Sequence, residues 1–358
     1  MKKKSGIALS LVLAAGTLLA GCGAGADKKE EAGGKDAKDT FSIAMVTDEG
    51  GVDDKSFNQS AWEGIQEYGK ANDLEKGKGG YNYLQSASDA DYATNLNTLV
   101  RNDFDLIYGI GYKLQGAVNE IAGQQKNAHF AVVDTVVEQP NVASITFKEN
   151  EGSFLTGVVA GLTTKTNKVG FVGGIESDLI TKFEVGFIEG VKAVNPKATV
   201  DVQYVGSFTG ADRGKAIASS MYGSGVDIIY HAAGGSGNGV FSEAIDLKVK
   251  DPDRELWVIG VDKDQYEDGK GKTKSGEEFD VTLTSMVKRV DVAVKDLAEK
   301  AKNGDFPGGQ VLEYGIQENA IGLAPAPHDE YLSAEVKGKV AEYQEKILKG
   351  EIVVPTKK

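Results

Sequence analysis

The sequence predicts an α/β protein that contains two successive arrays of parallel strands and crossover helices. From Phe41 onward, short apolar runs alternate with longer amphipathic runs, and this alternation restarts after residue 147. Apolar strands separated by helices are typical of a parallel sheet that is covered on both faces. The chain beyond residue 40, about 318 residues long, also exceeds what one hydrophobic core usually supports. We therefore expect two similar α/β domains.

The first array is expected to contain five strands and three helices, because its apolar runs are short and bounded by turn residues. The strands are predicted at 41–47, 81–87, 105–111, 129–135 and 141–147, and the helices near 56–71, 89–101 and 113–125.

The second array is expected to begin with a helix near 151–163. Its strands are predicted at 168–174, 198–206, 226–232 and 256–262, and its further helices near 179–194, 211–222 and 237–248.

The strand at 281–287 and the helix at 289–303 are expected to return to the first domain. The chain should then cross once more and end in a helix near 333–349, on the outside of the second domain. Several crossings predict a hinge rather than one flexible linker. The predicted domains are 41–145 plus 285–312, and 146–284 plus 313–358.

Residues 1–21 predict a signal peptide, and Cys22 predicts a lipid anchor. The lysines at positions 2–4 precede an apolar stretch, Gly6–Ala20, which is shorter than the roughly 20 residues of a spanning helix. The stretch ends in Leu-Ala-Gly directly before Cys22, the pattern of a bacterial lipoprotein whose cysteine is acylated after cleavage. An ordinary cleavage site followed by a chance cysteine is the alternative. Cys22 is the only cysteine, so it has no internal disulfide partner.

The segment that follows, residues 22–40, predicts a flexible tether, because it lacks large apolar residues that could offset its ordering entropy. We expect the protein on the extracytoplasmic face of the cell membrane, in a Gram-positive bacterium. Its formal charge is −13, which becomes −16 without the three leader lysines. Nucleic-acid binding requires clustered Lys and Arg, so this charge argues against it.

Polar residues follow several predicted strands of both arrays. They are Asp48, Asp134, the pair Gly234-Gly235, and Asp262. A single Asp in such a place is usually the N-cap of the next helix. Ligands of open α/β sheets lie beyond the carboxyl ends of the strands. Four polar strand ends in two arrays therefore favour a ligand-binding cleft between the domains.

Several blocks of the sequence resemble the basic membrane protein family of lipoproteins. Within that family they are most similar to the purine nucleoside receptor group of substrate-binding proteins. The blocks are DEGGVDDKSFN at 48–58, AVVD at 131–134, NEGSFLTG at 150–157, KVGFVGG at 168–174, FEVGF at 183–187, AAGGSG at 232–237, GVD at 260–262 and TSMVK at 284–288.

The resemblance implies a type I periplasmic-binding-protein fold, with two Rossmann-like domains joined by three crossovers. It also implies a purine nucleoside as ligand and the permease subunits of an ABC importer as partners. We expect a monomer that needs no cofactor and no metal ion.

The family's binding residues carry over to eight positions. Phe57 and Phe183 would clamp the base between two rings, and Asn58 and Asp134 would bond its edges. The sugar would be held by Asp48, Gly235, Asp262 and Lys288. The chemistry fits, because aromatic rings stack on purine faces and carboxylates accept hydrogen bonds from ribose hydroxyls.

Simpler roles exist for the same residues. Phe57 could be a buried first-turn residue, and Phe183 could belong to the core together with Phe187 at i+4, although we expect Phe187 to be the core residue. Lys288 could be a solvated charge. The turn Gly234–Gly237 resembles a phosphate-binding turn but lacks the spacing of nucleotide-binding motifs, so a close approach to a sugar is the simpler use.

The sequence argues against catalysis. The acidic run at 48–54 lacks the aspartate spacing of calcium-dependent nucleoside hydrolases, and no G-x-S-x-G or H-E-x-x-H motif occurs. Two binding alternatives stay open. One is a receptor of the same fold that senses a nucleoside and signals. The other is a binding protein for a different solute such as a sugar, since two aromatic rings can also cover a pyranose.

Overall fold

Two six-stranded sheets organise residues 40–324 and 332–358, the parts of the chain that the structure, a computed structural model, describes. The strands in these ranges are β1 (Ile43–Val46), β2 (Tyr81–Leu84), β3 (Leu106–Ile110), β4 (His129–Val133), β5 (Val142–Phe147), β6 (Lys168–Gly173), β7 (Thr199–Tyr204), β8 (Ile228–Ala232), β9 (Trp257–Asp262), β10 (Lys270–Lys272), β11 (Glu278–Asp280), β12 (Thr282–Lys288), β13 (Val311–Tyr314) and β14 (Ile321–Leu323).

Helices connect the strands and cover both faces of the sheets. They are α1 (Phe57–Ala71), α2 (Tyr92–Arg101), α3 (Gln115–Gln124), α4 (Glu149–Thr163), α5 (Asp178–Val194), α6 (Ala211–Gly223), α7 (Gly237–Lys250), α8 (Val290–Lys302) and α9 (Ala334–Leu348). None of the helices within the described ranges is long and apolar enough to span a membrane.

The first sheet has the order β13-β5-β4-β3-β1-β2, and all its strands are parallel. The second has the order β14-β12-β9-β8-β6-β7 and is parallel except for β14, which runs antiparallel to β12. The two orders correspond position by position, so β4 is equivalent to β9. The α/β class with two parallel, Rossmann-like sheets is therefore confirmed.

The central strands are continuous apolar runs because helices lie on both of their faces. All four residues of β1, Ile-Ala-Met-Val, are fully buried, and so are the five residues of β3. The predicted strands and helices occur within a few residues of their expected ends. The short strands β10, β11, β13 and β14 were not predicted.

One predicted assignment is wrong. Strand β12, expected in the first domain, pairs in parallel with β9 and belongs to the second sheet. Strand β13 pairs with β5 in the first sheet, so residues 313 and 314 do not belong to the second array. The boundaries predicted at 146, 285 and 313 each cut through a strand, namely β5, β12 and β13. Helix α8 does return to the first array, where it packs on α1, and α9 packs on α4 as expected for the outside of the second array.

The chain crosses between the sheets in three places. The first crossing is at Lys148, between β5 and α4, and the second at Arg289, between β12 and α8. The third is the segment 315–320, between β13 and β14. Backbone hydrogen bonds join these crossings: Lys148 N–H donates to the Tyr314 carbonyl at 2.8 Å, and Arg289 N–H donates to the Ala320 carbonyl at 2.8 Å.

Candidate ligand-binding site

A cavity lies where the carboxyl ends of strands from both sheets face each other. About 550 Å³ of space not filled by protein atoms, part of it open to solvent, lies between these strand ends. All eight residues predicted for the site line this cavity: Asp48, Phe57, Asn58, Asp134, Phe183, Gly235, Asp262 and Lys288. The structure thus brings together residues that are as much as 240 positions apart in the sequence.

Two phenyl rings of the cavity wall come from opposite arrays. Phe57 is the first residue of α1, and Phe183 lies in the second turn of α5. The Lys288 ammonium is 5.1 Å from the centroid of the Phe57 ring and 5.7 Å from that of Phe183. Phe187, one turn beyond Phe183, packs on Phe171 in the core as predicted, but Phe183 is also buried in the same apolar cluster. The two rings therefore lie close to one point from opposite arrays.

Two aspartates occupy equivalent strand ends and share an unusual backbone conformation. Asp134 directly follows β4 with φ 69°, and Asp262 ends β9 with φ 65°. Positive φ is uncommon for residues other than glycine, but Asp and Asn adopt it more readily than most. This conformation places a carboxylate at the same position on each sheet.

Lys288 lies at the centre of a buried ionic cluster. Its ammonium donates to both carboxylate oxygens of Asp134 at 2.7 Å and lies 3.1 Å from Glu149 Oε1. Glu149 Oε2 in turn accepts from Lys182 Nζ at 3.0 Å. Burial alone would lower the pKa of Lys288, but these carboxylates together with Asp262 raise it above its usual value. The carboxylates therefore favour the charged form of Lys288, and its side chain, only 1% exposed, is not a solvated surface charge.

A second polar cluster surrounds Asn58 at the start of α1. The amide Nδ2 of Asn58 donates to Asp48 Oδ1 at 2.7 Å and to Asp54 Oδ2 at 3.0 Å. Both amide hydrogens are thus used, and the buried Oδ1 of Asn58 has no hydrogen-bond partner in the described part of the chain. Burial raises the pKa of Asp48 to about 6, despite the hydrogen bonds from Gly50 and Asn58. This side of the cavity therefore offers hydrogen-bond acceptors.

Asp54 holds the start of α1 in place. Its carboxylate accepts hydrogen bonds from the backbone N–H groups of Ser56, Asn58 and Gln59, at 2.9, 2.9 and 3.1 Å. These are donors that the first turn of a helix cannot satisfy by itself. The carboxylate thereby fixes the direction in which Phe57 and Asn58 leave the helix.

Asp262 connects the two arrays across the cavity. Its Oδ2 accepts a hydrogen bond from the Ser56 hydroxyl, which belongs to the segment just before α1. Burial raises the pKa of Asp262 to about 7, although Lys288 and Ser56 both favour its charged form. A ligand hydroxyl that donated to this carboxylate would stabilise the charged form further.

Several lining or supporting residues were not predicted. Tyr112 comes two residues after β3, and its ring meets that of Phe208 edge-to-face with 6.5 Å between the centroids. The rule that ligands lie beyond strand ends would have found Tyr112 and, less directly, Phe208, which comes four residues after β7. Glu149 begins a helix and carried no comparable signal. Cys22 and the tether lie outside the described residues.

Comparisons with known proteins agree with this architecture. The family profile described as "ABC transporter substrate-binding protein PnrA-like" matches residues 41–358. A Listeria monocytogenes protein named "CD4+ T-cell-stimulating antigen" is 60% identical over 359 residues, with 100% of both chains covered. A Lactococcus lactis subsp. cremoris protein named "ABC transporter nucleoside-binding protein BmpA" is 44% identical over 361 residues, again with 100% of both chains covered.

A solved structure of an ABC transporter solute-binding protein from Aeropyrum pernix K1 has a similar fold. Its TM-score is 0.76 at 24% sequence identity, covering 88% of this chain and 94% of that one. The profile match spans the whole described body, and the two relatives are similar along their full length. This chain belongs to the Bmp family of PnrA-like ABC transporter substrate-binding proteins.

Proposed function

We propose that this substrate-binding protein captures purine nucleosides, of the guanosine, inosine and adenosine class, and presents them to an ABC importer. The observation that carries the proposal is the pair of phenyl rings, Phe57 and Phe183, which approach one buried ammonium from opposite arrays. A purine has two apolar faces that such rings can cover. Stacking on one aromatic ring contributes about 1–3 kcal/mol per base.

The polar groups around the rings match the edges of a purine. Asn58 Oδ1 is an acceptor without a partner in the described chain, and it requires a donor from the ligand. Hypoxanthine and guanine present an N–H group at their six-membered ring, which supplies that donor. The buried and unpaired acceptor would be satisfied by the ligand, which gives a physical reason for binding to a base at this position.

The remaining groups suit a ribose. Asp262 and Asp48 are carboxylates that accept from hydroxyl groups, and Lys288 donates to a hydroxyl oxygen. Gly235, three residues after β8, lines the cavity, and because it has no side chain a sugar can approach its backbone closely. We assign the sugar to these four residues, and the base to Phe57, Phe183, Asn58 and Asp134.

Titration calorimetry tests the proposal. We expect inosine and guanosine to bind the purified wild-type protein, and Phe57→Ala to weaken binding by about 1–3 kcal/mol, roughly 5- to 150-fold. The loss of one stacking face is the physical reason. Phe306→Ala is the matched control, since Phe306 is a half-buried ring that stacks on His129 and does not line the cavity.

The control separates loss of the clamp from loss of stability. Phe306→Ala should leave nucleoside affinity unchanged. Equal loss of nucleoside affinity in both variants would contradict the clamp. A wild-type protein that binds a hexose but no nucleoside would show that the ligand is a sugar.

We further propose that Cys22 carries the lipid anchor, as its sequence context predicts, and that the two arrays are domains that close on the ligand around the three crossings. The anchor would keep the protein close to its permease at the membrane. A Cys22→Ser variant should appear in the soluble fraction with unaltered ligand affinity. Its retention in membranes would contradict the anchor.

A further inference from the structure

We propose that Glu149 is a positioning residue of the binding site, which holds the Lys288 ammonium in place and ties it to the segments where the chain crosses between the sheets. The inference rests on the proposed function, because it concerns a cation that the ligand would contact. Glu149 itself does not line the cavity.

The ion pair joins two of the crossings directly. Glu149 is the residue after Lys148, where the chain first crosses, and Lys288 is the residue before Arg289, where it crosses again. Glu149 Oε1 lies 3.1 Å from Lys288 Nζ, which is an ion-pair distance, although the contact lacks the geometry of a hydrogen bond. A relative movement of these two crossings would therefore change the position of the ammonium.

Both partners are inaccessible to solvent. The Glu149 side chain is 0% exposed and that of Lys288 is 1% exposed. A second cation, Lys182 Nζ, contacts the other carboxylate oxygen of Glu149 and the Phe147 carbonyl, each at 3.0 Å. Buried ion pairs are costly to desolvate, and apolar side chains of similar volume are often as stabilising or more so. A contribution to stability alone therefore does not explain why buried charged residues occupy this place. A role in orienting Lys288 does explain it.

The position of Lys288 matters because it bridges ligand and protein. Its ammonium contacts Asp134 at the end of β4 and lies close to the Phe57 and Phe183 rings. A ligand hydroxyl that accepts a hydrogen bond from Lys288 would favour the relative position of the two crossings in which Glu149 also contacts Lys288. By linkage, that crossing geometry must favour the ligand by the same factor.

A comparison of two glutamates on one helical turn tests this role. Glu149→Gln removes the negative charge beside Lys288. Glu151→Gln removes the negative charge of a carboxylate whose Oε2 accepts a hydrogen bond from Ile316 N–H, in the third crossing, at 3.1 Å. Both glutamates thus contact segments where the chain crosses between the sheets, but Glu151 contacts the third crossing and not Lys288. Affinities for inosine and for its free base, hypoxanthine, are measured by calorimetry, together with the melting temperature of each variant.

We expect Glu149→Gln to lower the affinity for inosine about tenfold, within the usual range of coupling between sites. The affinity for hypoxanthine should fall less, because the free base lacks the sugar that Lys288 would hold. Glu151→Gln should leave both affinities within about twofold of wild type. A purely structural role of Glu149 would weaken both ligands alike, so an unchanged ratio of the two affinities overturns the proposal.

Glu149→Asp provides a second variant that keeps the charge but shortens the side chain by one methylene. Because the aspartate would not reach Lys288, we expect the same selective loss of inosine. Full inosine affinity in Glu149→Asp would show that only the charge matters and would overturn positioning. A wild type that binds no nucleoside at all would instead overturn the proposed function, and this inference with it.

Discussion

At the scale of single residues, the cavity is built from groups that do not favour a stable fold. Asp134 and Asp262 both have positive φ, a conformation that costs of order 1–3 kcal/mol for residues other than glycine. Asp262 is in addition a buried carboxylate whose pKa is raised to about 7. Its charged form is therefore destabilised in the folded protein even though the Ser56 hydroxyl donates to it, so a further donor from a ligand would stabilise that form.

The raised pKa of Asp262 predicts a pH-dependent stability. Between its ordinary value of 3.8 and about 7, the folded state binds the proton of this carboxyl more tightly than the unfolded state does. The contribution of Asp262 to the free energy of unfolding should therefore fall as pH rises through this window. Asp262→Asn cannot ionise, so it should be more stable than wild type by about 1–3 kcal/mol at pH 8, and by less at pH 5.

Chemical denaturation at the two pH values measures this difference. Asp103→Asn is the matched control, because Asp103 also has a positive φ of 59° but its side chain is 84% exposed. The difference in free energy of unfolding between Asp103→Asn and wild type should be the same at pH 5 and at pH 8. A constant difference between Asp262→Asn and wild type at pH 5 and 8 would contradict a destabilised carboxylate.

Much of the site could be predicted at this scale, for a physical reason. Parallel strands bring their carboxyl ends to one edge, so Asp48, Asp134 and Asp262 were expected to meet, and they do. The donors and acceptors were harder to foresee. The role of Asn58 as an acceptor depends on Asp48 and Asp54 taking both of its amide hydrogens, and that depends on loop geometry that a sequence pattern does not contain.

At the scale of elements, the position of Phe183 depends on how closely α5 packs against α4. Each helix carries two glycines four residues apart, Gly157 and Gly161 on α4, and Gly186 and Gly190 on α5. A Cβ at Gly190 would lie 2.0 Å from the Phe154 carbonyl, and one at Gly157 would lie 2.2 Å from the Phe187 carbonyl. The two backbones are thus in direct contact.

Gly190→Ala should therefore force the helices apart. We expect a loss of about 1–3 kcal/mol in the free energy of unfolding and weaker nucleoside binding, because Phe183 on the same helix would be displaced. Gly338→Ala on α9 is the control, since a Cβ there meets nothing within 4 Å. It should raise stability by about 0.5–1 kcal/mol and leave affinity unchanged. If Gly190→Ala and Gly338→Ala were equally stable, close contact between the backbones of α4 and α5 would not be what requires a glycine at position 190.

The elements themselves were predictable where they were long and apolar. Strand β14 was missed because it has only three residues, and β13 because it lies at a sheet edge with alternate residues exposed. The strand at 282–288 was recognised, but its sheet was not. A buried strand of this kind fits either sheet equally well, and its pairing with β9 is decided by tertiary packing.

At the scale of the whole molecule, contacts across the cavity hold α1 and the segment before it against the end of β9 and the residues that follow it. Lys55 Nζ lies 2.8 Å from Asp268, the Ser56 hydroxyl bonds to Asp262, and Lys263 pairs with Glu63. Lys55 has a positive φ of 62° in this arrangement. The cations at this contact are paired with acidic residues, so they are not free to receive an anionic ligand.

The charge of the cavity predicts which purine derivatives are excluded. Its lining contains four carboxylates, on Asp48, Asp54, Asp134 and Asp262, and one cation, Lys288, which is already bonded to Asp134. A neutral nucleoside brings no charge into this site. A 5′-phosphate would bring nearly two negative charges among like charges, without an arginine cluster to receive them. The net charge of −13 on the chain adds to the repulsion.

We therefore predict the affinity order nucleoside, 2′-deoxynucleoside, free base, and lastly nucleoside monophosphate. The deoxynucleoside and the base lose sugar hydrogen bonds to charged groups, each contributing about 1.5–3 kcal/mol, whereas the monophosphate is repelled. Calorimetry with inosine, 2′-deoxyinosine, hypoxanthine and inosine monophosphate measures the order. Salt screens the repulsion from the exposed charges of the acidic chain but acts much less on the buried carboxylates. Raising the ionic strength should therefore increase the affinity for the monophosphate only in part, and it should stay below that for inosine. A monophosphate that binds as tightly as inosine at low salt would show that the carboxylates do not set the specificity.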